Sequence, residues 1–398
     1  MLAVREALDF LLAAARPVQD VETISTLAAN GRVLAADQVS TIDVPGFDNT
    51  SMDGYAVRAA DCAGGAATLP ISQRIPAGHL GQPLQPGTAA RIFTGAFIPP
   101  GADAVVMQEQ CEAGADGKVT IRHAPAPGEW VRRQGEDITA GKAILAAGTR
   151  LRSQELGLLA SVGLAELPVR RRLRVAVFFT GDELTMPGQP LAPGGIYNSN
   201  RFTLRALLEN MGCDIADFGI VPDSLDATRA VLREAAAGND LIITSGGVSV
   251  GEEDHIKPAV EAEGKLNMWQ IAVKPGKPLA FGEVGRAFFL GLPGNPVSSF
   301  VTFLLFVRPF MLRLQGVTGT VAPRAYTLRA DFDWKGDRRN EFLRARINDA
   351  GGLDLFPNQS SGVLTSTVWG DGLIDNPPGQ AIAAGDTVRF IPFNELLN

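Results

Sequence analysis

Asp240-Leu-Ile-Ile-Thr-Ser-Gly-Gly-Val-Ser-Val-Gly-Glu-Glu-Asp254-His255 is the stretch whose reading decides the fold of this chain. Leu241 to Ile243 form a short, largely β-branched apolar run of the kind buried in a parallel sheet. Ser245, Gly246 and Gly247 then let the backbone turn sharply and offer N–H groups to an anion. Glu252, Glu253 and Asp254 would repel a phosphate unless a hard cation lay between them, and Mg²⁺ is usually held by one or two carboxylates plus phosphate oxygens. The stretch therefore reads as an anion site with a metal site beside it. The alternative is an ordinary charged helix start, since acidic residues favour a first helical turn.

On both sides of this stretch the pattern is strand, glycine turn, helix, repeated, which is that of an α/β sheet. Strand Val175–Phe179 ends in Thr180-Gly181-Asp182-Glu183, and Asn200 is expected to cap a helix closed by Gly212. Strand Asp214–Ile220 leads through Pro222-Asp223-Ser224 into a helix ending near Gly238. After Asp254 come another helix, a strand Met268–Val273, the loop Lys274-Pro-Gly-Lys277-Pro278 and a hairpin of Leu279–Phe281 with Arg286–Leu290. The loop Gly291-Leu-Pro293-Gly-Asn295-Pro296 follows, with Asn295 as N-cap and Pro296 at the first position of a helix to about Leu314.

Ligands of open α/β sheets bind beyond the carboxyl ends of the strands, which gathers these loops around one crevice. It would hold backbone donors, Lys274, Lys277 and several carboxylates. At ~4 Å and an effective dielectric near 20, a Lys–phosphate pair is on the order of 4 kcal/mol before desolvation, against about 0.3–1 for a helix end. Lys274 and Lys277 are thus expected to dominate anion affinity.

Before this unit, Val4–Ala15 has helical periodicity stopped by Pro17, and a small helical lead-in is expected as far as Ala36. Ser40 to Asp53 is a polar loop broken by Pro45 and Gly46, and five short β-like runs between Tyr55 and Arg122 make Ser40 to about Trp130 a small, mostly β domain. Arg132-Arg133-Gln-Gly135-Glu136-Asp137 precedes a helix Ser153–Val162, where the chain is expected to return to its N-terminal piece. Arg170-Arg171-Arg172 reads as a solvated domain edge. Ala325 to Asn398 returns to β alternation as a small barrel or sandwich, with Arg338, Arg339 and Arg344 read first as a solvated edge and, as the alternative, as a binding face.

The totals agree with several cores. A chain of 398 residues with 45% apolar content is too long for one, and 36 Lys plus Arg against 43 Asp plus Glu argues against a nucleic-acid binder. Cys62, Cys111 and Cys213 have no CxxC spacing, so no disulfide framework or zinc cluster is indicated and a reducing cytosol fits. The N-terminus lacks a basic flank, an unbroken apolar core and a cleavage site, and no uninterrupted apolar run reaches the ~20 residues of a membrane span. Gly246–Gly251 has P-loop spacing, but Glu252-Glu253 stands where Lys-Ser/Thr is needed, and no Gly-x-Gly-x-x-Gly follows the first strand. With only His79, His123 and His255 available, a nucleophile triad is poorly supported.

Taken together, Asp43-Val-Pro-Gly-Phe-Asp-Asn-Thr-Ser-Met-Asp-Gly-Tyr-Ala-Val57, Arg133-Gln-Gly-Glu-Asp137, Thr180-Gly-Asp-Glu-Leu184, Ser245-Gly-Gly-Val-Ser-Val-Gly251, Lys274-Pro-Gly-Lys-Pro278 and Leu292-Pro-Gly-Asn-Pro296 resemble, in order, the molybdopterin molybdenumtransferase family. This is the molybdenum insertase of molybdenum-cofactor biosynthesis, related to the catalytic E domain of gephyrin, and the resemblance covers essentially the whole chain. His255 stands where an aromatic is common in the family.

The resemblance implies a multidomain α/β plus β protein: a central doubly wound α/β domain, a small mostly-β lid domain, an N-terminal mixed domain and a C-terminal β-barrel-like domain. On this chain these are 171–318, 40–135, a discontinuous 1–39 with 136–170, and 319–398. It further implies a cytoplasmic homodimer that shares each active site between subunits, converting adenylyl-molybdopterin and molybdate to molybdenum cofactor and AMP with Mg²⁺. Asp53, Thr94 and Asp137 would act across the subunits, with Asp182, Glu183, Asp223 and Asp254 acting within the α/β domain. Residue types suggest Glu183 and Asp254 for Mg²⁺ or proton transfer and Lys274 and Lys277 for oxyanions, with Ser245, Gly246, Gly247, Pro293, Asn295 and Pro296 on the substrate. Pterin adenylyltransferase and molybdoenzyme maturation factors are the partners it suggests. Two alternatives stay open: a molybdopterin adenylyltransferase, which the α/β unit also resembles, and a non-enzymatic pterin-binding scaffold.

Overall fold

The computed structural model of the chain describes residues 1–247 and 255–397, with the backbone alone at Met268 and Trp269. Four apolar runs become the parallel strands of a six-stranded sheet: Arg174–Thr180, Asp214–Val221, Leu241–Ser245 and Ala287–Leu292. In the sheet they lie in the order Asp214–Val221, Arg174–Thr180, Leu241–Ser245, Ala287–Leu292, and the antiparallel strands Pro278–Val284 and Gly264–Gln270 complete it. The chain runs outward from Arg174–Thr180 on one side and returns on the other. The topological switch point is therefore between Arg174–Thr180 and Leu241–Ser245, whose ends pair Phe179 with Ser245.

Both faces of this sheet are buried, which is why its strands carry near-continuous Val, Ile and Phe. Helices Leu225–Gly238 and Ile256–Glu263 cover one face through Leu232, Ala235, Ala259 and Val260. Helix Ser199–Asn210 and a helical run Pro296–Leu314 cover the other. That run is long and apolar enough to cross a membrane by length and composition, yet 89% of its window is buried inside the protein, as a core helix is. It widens to a π turn over Phe303–Val307 just before Pro309, whose missing N–H cannot close an ordinary turn. The N-terminal helix Val4–Ala14 lays Ala7 and Leu11 on the same core, and the Phe10 and Phe281 rings meet edge to face at 6.1 Å.

Several local expectations are corrected here. The helical lead-in contains a strand, Val21–Ser25, which pairs antiparallel with Glu166–Arg170; β-branched Val21, Thr23 and Ile24 suit it. Asn198, not Asn200, caps the helix Ser199–Asn210, its Oδ1 accepting the Arg201 N–H at 3.1 Å. The strand placed at Met268–Val273 begins at Gly264 and ends at Gln270 because it pairs along the whole of Pro278–Val284; Val273–Lys274 is separate and joins another sheet. Arg171 is not a solvated edge: its guanidinium holds Asp240 at 2.8 and 2.9 Å and Asp20 at 2.7 Å, clipping the N-terminal segment to the α/β sheet.

Residues Gly54 to Ile121 form a second six-stranded sheet around Val57, Val106, Val119 and Ile121. Its two chain crossings run side by side, with Asn49–Thr50 paired to Val131–Arg132 and Val44 bridged to Ile138. The C-terminal segment builds a third sheet around Leu343, Ile374 and Phe390, and Val273–Lys274 from the α/β unit adds to its edge, parallel to Asn340–Glu341. That pairing brings the C-terminal sheet against the crevice.

Candidate active site

The strand ends at Thr180, Ser245 and Leu292 open into a cavity of about 740 Å³. Side chains tie its loops together. Asn200 Nδ2 donates to Ser245 Oγ at 2.8 Å and to the Gly294 carbonyl at 2.7 Å, and Ser245 Oγ donates to the Pro293 carbonyl at 3.0 Å. Gly246 turns at φ +101°, where a Cβ would lie 2.9 Å from the Thr180 carbonyl oxygen, so only glycine lets the two central loops approach this closely. Gly276, at φ +105°, is similar: a Cβ there would meet Thr302 Oγ1 at 2.6 Å.

Many of the sequence-predicted residues meet here. Glu183, Asp223, Ser245, Gly246 and Gly247 line the cavity from the strand ends, and Lys274, Lys277, Pro293, Asn295 and Pro296 line it from the later loops. Asp182 is exposed beside it but is not part of the lining. Asp254, with Glu252 and Glu253, lies outside the described residues. Among the described residues no group of three or more His, Cys, Asp or Glu could hold a metal ion.

Asp53, Thr94 and Asp137 do not line the cavity; Asp53 and Thr94 flank strands of the second sheet, and Asp137 lies on the crossing, its N–H donating to the Val44 carbonyl at 3.1 Å. Asp53 Oδ1 accepts from Thr94 Oγ1 at 2.6 Å and from Thr94 N at 2.7 Å, and the hydroxyl followed by the N–H hold its carboxyl below the usual carboxylate range. Asp43 and Asp48 brace the crossings in the same way. Asp48 receives the Gln134 N–H at 2.8 Å and Arg133 Nη1 at 2.7 Å, while Asp43 receives the Ala140 N–H at 2.8 Å and Gln134 Nε2 at 2.7 Å.

The two lysines, both expected to hold an anion, differ in their partners. Lys274 Nζ already donates to Glu341 Oε1 at 3.0 Å and Asp337 Oδ2 at 3.2 Å. Glu341 is 0% exposed and also accepts Trp334 Nε1 at 2.7 Å and Asn376 Nδ2 at 3.4 Å. Lys274 thus also neutralises a buried carboxylate. Lys277 makes no ion pair among the described residues and is the cation with its charge available to a ligand.

A further wall was missed from sequence. Arg339, Gln359, Ser360 and Ser361 of the C-terminal segment line the same cavity. Arg339 belongs to the run read as a solvated edge, but Asp337 folds it inward through contacts at 3.2 Å to Nε and Nη2. Arg344, from the same reading, is fully buried. It donates to Ser366 Oγ, the Phe342 carbonyl and the Ser360 carbonyl at 3.1, 3.2 and 3.3 Å, and burial pushes its guanidinium down to about 10. Gln359 brackets its backbone, accepting its N–H and donating to its carbonyl at 2.9 Å each, and the Ser361 carbonyl accepts the Val297 N–H of the helix behind Asn295 at 3.0 Å. The spacing of Gln359-Ser-Ser361 carries no motif that would have announced this.

A doubly wound domain with a cation-bearing crevice at its switch point, walled on one side by a β domain and joined to another by paired crossings, defines a class of ligand-binding α/β enzyme domain. Family models for the MoeA N-terminal region (domain I and II), a "Probable molybdopterin binding domain" and the MoeA C-terminal region (domain IV) match residues 2–163, 176–313 and 327–393. The chain belongs to the molybdopterin molybdenumtransferase family and is a transferase. It is 42% identical over 384 residues to the molybdopterin molybdenumtransferase of Haemophilus influenzae, covering 94% of this chain and 95% of that one. To that of Nostoc sp. it is 39% identical over 390 residues, covering 94% and 89%. The crystal structure of a molybdopterin biosynthesis moeA protein from Pyrococcus horikoshii OT3 superposes with a TM-score of 0.83 at 28% identity, covering 98% of this chain and all 100% of that one.

Proposed function

We propose that the chain inserts molybdenum from molybdate into adenylylated molybdopterin in the cytoplasm, releasing AMP and giving molybdenum cofactor with Mg²⁺. The observation that carries this reading is the crevice itself, where glycine turns, an available Lys277 and two carboxylates converge at the switch point of a transferase-family fold. The Gly247 N–H and the first turn of the helix behind Asn295 suit phosphate oxygens, whereas the Gly246 N–H is held by the Leu292 carbonyl at 3.2 Å and the Val297 N–H by the Ser361 carbonyl at 3.0 Å. Lys277 neutralises charge as a water or molybdate oxygen attacks the anhydride phosphorus, the bridging P–O bond breaks and AMP leaves. No covalent enzyme nucleophile is required, and the two dithiolene sulfurs of the pterin bond to molybdenum in place of molybdate oxo groups, which are protonated and leave as water.

Mg²⁺ needs no cage of protein ligands, because one or two carboxylates with phosphate oxygens and waters complete its shell. Glu183 and Asp223, hard oxygen donors on the cavity wall, fit that requirement, and Asp254 is the further ligand expected from sequence. Bound there, the cation would supply charge neutralisation on the anhydride.

The reading includes a homodimer, with Asp53, Thr94 and Asp137 of one subunit facing the crevice of the other; it is supported by their lying outside the lining of the cavity in their own chain. The direct test is calorimetry with adenylyl-molybdopterin at fixed salt. Lys277→Ala is expected to weaken binding at least tenfold, and unchanged affinity would remove the assignment.

A further inference from the structure

The crevice carries three cationic side chains, Lys274, Lys277 and Arg339, on the side where the α/β and C-terminal units meet. One carboxylate holds two of them. Asp337 Oδ2 accepts from Lys274 Nζ at 3.2 Å and from Arg339 Nη2 at 3.2 Å, while Oδ1 accepts Arg339 Nε at 3.2 Å and the Arg339 N–H at 3.0 Å. The side chains of Asp337, Lys274 and Arg339 are 21%, 32% and 27% exposed, so these are half-buried contacts that water screens only in part. Glu341 already compensates Lys274 from below, its carboxylate accepting from Lys274 Nζ, Trp334 Nε1 and Asn376 Nδ2, so Asp337 is not needed to neutralise a stranded lysine.

We infer that Asp337 is an internal counter-anion which occupies Lys274 and Arg339 in place of a ligand oxyanion, and so sets the affinity and charge selectivity of this corner of the crevice. The inference deepens the proposed function and rests on its reading that an oxyanion is bound beside Lys277. Specificity is a difference between affinities, and a fixed carboxylate among the cations penalises every anion by repulsion. A weak monoanion cannot overcome it. A tetrahedral dianion, with twice the charge and oxygens on every side, can draw Arg339 and Lys274 away from Asp337 while keeping Lys277. A carboxylate whose role was only to stiffen the Asp337–Arg339 turn would give the opposite result on removal, because the cations would lose their positions.

The test is a gain of binding, read by isothermal titration calorimetry on the full chain with sodium molybdate, sodium sulfate and sodium acetate at constant ionic strength. Asp337→Asn keeps an acceptor for the Arg339 N–H and removes the charge. It is expected to bind molybdate and sulfate about tenfold more tightly than the native protein and to widen their margin over acetate, since the repulsion removed is twice as large for a dianion as for a monoanion. Asp337→Ser, whose hydroxyl can also accept that N–H, is the second variant should the amide disturb folding. Equal or weaker binding of the dianions in a variant with native thermal stability would overturn the inference. Adding Lys277→Ala to Asp337→Asn should remove the gain; a gain that persists without Lys277 would place the anion elsewhere and overturn it too. Turnover with adenylyl-molybdopterin is measured separately, so a protein that shows the gain but releases no AMP fails the proposed reaction and not this inference.

Discussion

Replacing Lys274 by Ala separates the two roles this lysine could have. Glu341 is 0% exposed, and its cation is Lys274 Nζ at 3.0 Å; without it the carboxylate keeps Trp334 Nε1 at 2.7 Å and Asn376 Nδ2 at 3.4 Å but no positive charge. Breaking a buried ion pair from one side costs about 3–5 kcal/mol. Lys274 is 32% exposed, which places the expected loss at the lower end, about 3 kcal/mol. At an m-value near 2 kcal/mol/M, that lowers the urea midpoint by roughly 1.5 M. The assay is urea unfolding followed by tryptophan fluorescence, to which Trp334, a donor to Glu341, contributes locally. Glu341→Gln in the same chain removes the stranded charge, so the double variant should recover most of the loss. If Lys274→Ala unfolds within 0.5 M urea of the native protein, or the double variant is no better than the single, Lys274 does not serve as the counter-ion of Glu341.

Three further outcomes follow from the same structure. Gly246→Ala, placing a Cβ 2.9 Å from the Thr180 carbonyl at φ +101°, should fold with a loss of about 1–3 kcal/mol and weaken AMP binding at least tenfold by calorimetry. Burial raises the Asp240 carboxyl, but the Arg171 fork and the Arg174 N–H outweigh it and hold it below the usual carboxylate range. Its stabilisation is therefore complete above a pH of about 4 and lost as pH falls through the lowered value. Asp240→Asn should cost about 1.5–3 kcal/mol at neutral pH and flatten the acid limb of a stability-versus-pH curve; an unchanged limb would contradict the clip. Co-refolding inactive Asp53→Ala with inactive Lys277→Ala should restore about a quarter of native turnover if sites are shared across a two-fold axis. Recovery no better than the unmixed variants, with exchange confirmed by native mass spectrometry, would refute sharing.

The α/β unit was legible because its strands are buried on both faces and its glycines fall where loops must nearly touch: Leu241–Ile243, Gly246 and Pro296 each carry a local physical signal. Val21–Ser25 was not, since a two-stranded pairing with Glu166–Arg170 is made by residues some 140 positions apart and leaves no periodicity in a five-residue strand. Asn198 and Asn200 both suit a cap, and only the crevice decides, by giving Asn200 to Ser245 and Gly294. The largest gap is the C-terminal wall. Arg339 and Arg344 look alike in sequence as charges near a strand, but one faces the cavity and the other is buried beneath it, a distinction made by the parallel pairing of Val273–Lys274 with Asn340–Glu341.

The most direct measurement is a single-turnover incubation of the purified chain with adenylyl-molybdopterin, molybdate and Mg²⁺, following AMP by chromatography and molybdenum cofactor by reconstitution of a cofactor-free molybdoenzyme. AMP and active cofactor should appear together in equal amounts, only when both substrates and the divalent cation are present, and drop at least tenfold in Lys277→Ala. Failure to release AMP from the adenylylated pterin, together with formation of that pterin when molybdopterin and ATP are supplied instead, would contradict molybdenum insertion and make the chain an adenylyltransferase.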